Sequence, residues 1–186
     1  EPTAPADEAT VASGVELLSL KYGQAFLVSD QNGDIHGGAE GLFDRDTRVL
    51  SRFILLVGDR HPSRLSSTLS KDNAVFTFHG TNRAIPPVNG RGTPRGAIHI
   101  ERRRVLQDER LYERVRATNF GLDQVMLPLA YEYGADFRDM FEVRGVRRAQ
   151  RGEQHPPQVH GRYVKFGYTG LDAVARSSTV AFSEPP

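Results

Sequence analysis

Between Gln124 and Tyr133 the side chains alternate one by one, with Val125, Leu127, Leu129, Tyr131 and Tyr133 set against Gln124, Met126, Pro128, Ala130 and Glu132. A period of two places one set on each face of an extended strand, so such a run can bury a single face. Gly134 ends it. Shorter runs of the same kind recur along the chain, separated by Gly, Pro, Asn and Asp at hairpin spacing, and no stretch of a dozen residues keeps a clean helical period. The pattern predicts an all-β chain, an antiparallel β-sandwich of ten or more short strands.

Taken in order, residues 1–13 read as a disordered leader, 14–181 as one β-sandwich domain and 182–186 as the start of an interdomain linker. Strands are expected at 15–20 and 24–29. Asn32-Gly33 then predicts a tight turn with positive φ at both positions, from which Ile35 and His36 return. Read as one strand, Asp44, Asp46 and Arg48 share a face and Arg45 takes the other, an ion-pair ladder. Further strands are expected at 50–57, 62–69, 73–78, 97–107, 111–120, 141–148 and 159–168, with a polar loop at 150–157. Residues 81–96, rich in Pro, Gly and Asn, read as a contact loop toward a partner, because long loops on rigid sandwiches tend to carry function.

Charge and composition exclude several functions. Lys+Arg numbers 24 against Asp+Glu 23, a net charge of +1, so no long-range field draws in nucleic acid or an acidic membrane. The basic run Arg102-Arg103-Arg104 has Glu101, Asp108, Glu109 and Glu113 beside it, and pairing across strands is expected. No cysteine occurs, which removes disulfides, thiolate metal sites and thiol nucleophiles. No apolar run reaches the roughly 20 residues of a membrane helix. We expect no membrane partner and a cytoplasmic location.

Catalytic signatures are equally sparse. There is no GxSxG elbow, and Gly90, Gly92 and Gly96 do not make a dinucleotide fingerprint. Asp30, Asn32 and Asp34 resemble the opening of a calcium loop, but the glycine stands at the wrong position and no closing glutamate follows. The six histidines form no compact ligand pair, His155 and His160 coming nearest. No cofactor or metal is expected. Asp136, Asp139 and Glu142, or Asp44 and Asp46, offer a carboxylate pair of the kind glycoside hydrolysis uses. Interleaved arginines keep such carboxylates ionised, whereas a general acid needs a raised pKa.

Three motifs carry a resemblance: LKYGQAFLVSDQNGDI at 20–35, LFDRDTRVLSRF at 42–53 and ADFRDMFEVRG at 135–145. In that order they resemble the amino-terminal domain of some glycogen debranching enzymes, the amylo-alpha-1,6-glucosidase family. The resemblance implies a non-catalytic β-sandwich that precedes an (α/α) toroid bearing the glycosidase carboxylates, so no catalytic residue is expected in this chain. The implied partners are that toroid and, through the intact enzyme, an alpha-glucan. Asp44, Arg45, Asp46, Arg48, Asp136, Arg138, Asp139, Glu142 and Arg144 fall inside the motifs and are the candidates for an interface or cleft rim. The alternative is a free-standing carbohydrate-binding module. It lacks the usual platform, since the chain has no Trp, and leaves glucan contact to the regions of Tyr22 or Tyr168.

Overall fold

A computed structural model describes residues 16–87 and 92–184. The leader expected over 1–13 lies outside these residues. Thirteen strands and one short helix make up the described chain. The strands β1 (Leu18–Tyr22), β2 (Ala25–Ser29), β3 (Gly41–Asp44) and β4 (Thr47–Leu50) form one antiparallel meander in that order. A second meander holds β6 (Ser63–Leu69), β7 (Val75–Thr81), β8 (Ile98–Gln107) and β9 (Arg110–Asn119). Between them in sequence, β5 (Arg52–Val57) pairs with β10 (Leu129–Gly134), setting Leu55 opposite Tyr131 and Phe53 opposite Tyr133. The last sheet is β11 (Glu153–His160), β12 (Tyr163–Thr169) and β13 (Ala175–Ala181).

Alternation explains how these sheets stack. Leu20, Leu27, Leu42 and Leu50 from the first meander meet Phe53, Phe76, Phe78 and Leu106, all buried, in one apolar cluster. Each large apolar side chain fully buried in this way contributes about 1.5–3 kcal/mol. Leu55, Val57, Ile85, Ile98 and Ile100 form a second cluster, and Ala135, Phe137, Val164 and Phe166 a third. Tyr131 packs against the first two and Tyr133 against the first and third, so β10 ties the layers together.

Several expectations need correction. The turn at Asn32-Gly33 is present, but only Gly33 has positive φ, at 80°. Gly33 N donates to Asp30 O at 3.0 Å and Asp30 N to Asp34 O at 3.0 Å, a three-residue loop that ends on a glycine. Ile35 then bridges Phe53, and β2 pairs with β1 and β3. Residues 124–128 are not strand, and Pro128 has no N–H for a ladder, although Val125 and Leu127 still pack on the second cluster. The strand expected over 141–148 is instead a helix, α1 (Met140–Val143), and the loop expected over 150–157 is mostly β11, whose register breaks between His155 and Gln158 where Pro156 and Pro157 lie. Phe182 sets its ring 5.8 Å from that of Tyr131 and 5.9 Å from that of Tyr133.

The segment expected to be a contact loop is anchored at its base. The side chain of Asn82, fully buried, donates to Arg83 O and Pro94 O at 2.8 and 2.9 Å and accepts from Ile98 N at 2.8 Å. Residues 88–91 of this segment lie outside the described chain.

Candidate functional site

The DRDTR motif does not form one strand. Asp44 ends β3 and pairs with Thr47, and the two residues between them, Arg45 and Asp46, have φ of 45° and 64°. Positive φ at both central positions is the hairpin turn that usually takes Asn-Gly, and it reverses the chain into β4. The expected shared face of Asp44, Asp46 and Arg48 therefore does not exist. Arg45 reaches Glu109 at 3.1 Å across solvent, and Asp44 Oδ1 is buried without a hydrogen-bond partner.

The reversal lays β4 beside the residues that follow β10. Ser51 N donates to Gly134 O, Arg48 N to Arg138 O and Met140 N to Asp46 O, at 2.8, 2.8 and 3.0 Å. Two motifs far apart in sequence thus zip together through their backbones. Arg48 locks the junction. Its guanidinium is buried and binds Asp136 bidentately, Nε to Oδ1 at 3.1 Å and Nη2 to Oδ2 at 2.5 Å. Its remaining nitrogen, Nη1, donates to the carbonyls of Gly37, Gly38 and Glu40 at 3.2, 2.7 and 3.1 Å. Arg138 is half exposed, with Nε 3.5 Å from Asp136 Oδ2.

Beyond Asp136 the backbone turns left-handed at Phe137, with φ 51°. An aromatic residue in that region carries strain of about 1–3 kcal/mol, which packing must offset. The Phe137 ring is buried and stacks on Tyr168, centroids 5.5 Å apart and planes within 8°. Asp139 then caps α1 by accepting from Glu142 N at 2.9 Å, while Glu142 accepts from Asp139 N at 3.1 Å. This reciprocal capping box explains a helix of one turn where a strand was expected. Arg144 stands exposed at the C-cap.

An open groove of about 340 Å³ runs over this junction, with Phe137, Asp139, Glu142, Arg148, Tyr168 and Arg176 among its walls. Arg148 binds Asp139 at 2.6 Å, Arg151 binds Glu142 at 3.0 Å and Arg176 binds Asp172 at 2.8 Å. Burial opposes ionisation of Asp139, but the Glu142 N–H and Arg148 outweigh it and hold the carboxyl below its usual range. The Asp172 carboxyl falls to about 2, chiefly through its hydrogen bond from Arg176. A groove in which Asp139, Glu142 and Asp172 each meet an arginine offers planar polar groups and an aromatic ring.

A second constellation went unforeseen. Arg102 and Arg104 stand on the face of β8 that also carries Ile98, Ile100 and Leu106, and both are fully buried. Arg102 binds Asp34 at 2.7 Å and Glu113 at 3.3 Å, and Arg104 binds Glu113 and Gly33 O. Tyr131 donates to Glu113 at 2.6 Å. Burial pushes the Glu113 carboxyl up, but Arg102 and Arg104 overcome it and bring it to about 2. The cross-strand pairing expected for this basic run is present. Its burial followed from the alternation of Ile98, Ile100 and Leu106, continued through the arginines.

Of the nine candidates, Arg48, Asp136, Arg138, Asp139 and Glu142 meet at the junction, with the backbone of Asp46 beside them; Arg45 leads away to another turn. Arg148, Arg151, Asp172 and Arg176 were missed because their partners lie across a turn or on another strand. A search of curated proteins returns no match. A family model described as the N-terminal domain of some glycogen debranching enzymes matches residues 20–186. With the three motifs inside that span, the chain belongs to the family of N-terminal domains of glycogen debranching enzymes.

Proposed function

We propose that this domain is non-catalytic and buttresses a helical-toroid catalytic domain of the same polypeptide, shaping one rim of its alpha-glucan cleft. The observation that carries the reading is the pairing of the acids. At the junction Asp136, Asp139 and Glu142 are each bound to an arginine, and the Asp139 carboxyl is held below its usual range, the opposite of what donation to a glycosidic oxygen requires. The junction also has the geometry of a support, because Arg48 fastens a glycine loop, a hairpin and the segment after β10 in one place.

The test is glucose release from limit dextrin by the isolated domain, expected to be nil. Turnover that disappears in Asp139→Asn would overturn the non-catalytic reading. Joined to its catalytic domain, the protein should lose more stability on Asp136→Asn than the isolated domain does; equal losses would argue against an interface. A second reading, direct glucan contact, draws on the Tyr168 ring in the groove wall. Glycogen binding by the isolated domain that falls in Tyr168→Ala would favour it.

A further inference from the structure

Among the described residues, the longest strand to end a sheet is β9, ten residues with β8 on one side and no strand on the other. Its outer backbone N–H and C=O groups therefore form an unpaired row, the template for a further strand. Several other sheet edges are blunted. β6 carries a bulge between Arg64 and Ser66, β11 breaks register where Pro156 and Pro157 lie, and β4 is covered by the segment after β10. β9 has none of these devices, and its pairing with β8 runs unbroken from Ile98 opposite Asn119 to Gln107 opposite Arg110.

The side chains beside this edge indicate what would pair with it. Along β9, Arg110, Tyr112, Arg114 and Arg116 alternate with less exposed residues and share the solvent face. On β8, Arg103 is exposed between the buried Arg102 and Arg104 and stands directly opposite Arg114. Like charges directly opposite one another destabilise a sheet. Protection of an edge does not explain the pair, because β8 lies inside its sheet. On this face of β8 and β9 the one acid is Glu101, 3.7 Å from Arg114 and opposite Arg116. Among the described residues no carboxylate lies within ion-pair distance of Arg103, Arg110 or Arg116, in contrast to Arg48, Arg148 and Arg176.

We propose that β9 is a docking edge for an extended, acidic segment of a partner protein, which joins the second meander as a fifth strand. The added strand completes the ladder through its backbone and sets specificity with every second side chain. Residues two apart on a strand are about 6.8 Å apart, so alternate carboxylates meet Arg114 and Arg116 in turn. Guanidinium forks take carboxylates through paired hydrogen bonds. Tyr112, 52% exposed on the same face, adds the aromatic surface that protein interfaces favour. A net charge of +1 over the whole chain supplies no long-range field of the kind polynucleotide binding draws on, which favours local pairing with a peptide. This edge is independent of the interface role proposed above.

The experiment is titration of the 186-residue chain into a fluorophore-labelled, acetylated and amidated decapeptide of alternating Thr and Glu, followed by anisotropy. Saturable binding that weakens as salt is added is expected. Arg114→Glu and Arg116→Glu, both at exposed side chains, should each weaken it about 10-fold through like-charge repulsion. Arg64→Glu, at the bulged β6 edge, should leave it unchanged. The Arg114→Glu/Arg116→Glu double variant should prefer the same peptide with Lys in place of Glu. N-methylation of alternate peptide nitrogens, which removes the ladder donors, should abolish binding. No binding at millimolar peptide, equal binding of the N-methylated peptide, or indifference to charge reversal at Arg114 and Arg116 would overturn the docking edge. Tighter binding of heparin or of a single-stranded oligonucleotide would overturn it as well, assigning the face to a polyanion.

Discussion

The junction at Arg48 and the pair at Arg102 and Arg104 both set guanidinium against carboxylate, and their surroundings separate them. Arg48 has one carboxylate, Asp136, whose side chain is partly open to solvent, and it turns its other donors onto three backbone carbonyls. Arg102 and Arg104 share Glu113 deep in the sandwich, and Arg102 Nε and Arg104 Nη2 are left without partners. The first arrangement fastens chain segments to each other. The second balances charge where water does not reach, and there an ion lost on one side exposes the others to the full cost of burial.

Breaking the central pair should therefore have the largest effect. Glu113→Gln is expected to cost about 3–5 kcal/mol in urea unfolding, because two buried guanidiniums lose their common counter-ion. A loss under about 1 kcal/mol would mean that water already reaches them. The same residue sets an acid limit. A carboxyl depressed to about 2 contributes its stability fully above its ordinary value of 4.5 and loses it as pH falls between those values. The shift corresponds to a loss on the order of 3 kcal/mol by pH 2, read as a fall in unfolding free energy that Glu113→Gln should lack.

The junction should respond more mildly. Arg48→Lys keeps the charge but loses the planar fork, and about 2 kcal/mol is expected, since a lysine cannot hold Asp136 bidentately while bonding three carbonyls. Asp139→Ala removes the cap of α1 and should cost about 1 kcal/mol, with Asp139→Asn recovering most of it because the amide oxygen still caps. Equal losses in the two variants would assign the effect to Arg148 instead. Arg45→Ala, at an exposed pair, should change stability by less than about 0.5 kcal/mol. Reversing the order of these effects would place the mechanical centre of the domain at the junction and not in the core.

Local pattern made the strands and turns legible. The hairpins 63–81 and 98–119 were expected nearly as they stand, because alternation and turn residues act over a few positions. The Asp139 capping box was equally local and could have been read from D-x-x-E in the sequence, yet the large apolar residues of the segment suggested a strand. Type I′ geometry at Arg45-Asp46 was not legible, since neither residue prefers positive φ and the turn is held by the pairing of β3 with β4.

Within the site, sequence alone determined the class of fold, the interleaving of acids with arginines and the motifs that carry the family. It also set the alternation that drives Arg102 and Arg104 inward. Which acid each arginine meets was decided only by tertiary structure. Arg48 finds Asp136 88 positions away, and Arg102 finds Asp34 68 positions away. A charge seeks whatever counter-ion folding places within a few ångströms, and the short range of that search in a wet, salty medium leaves no trace in linear order.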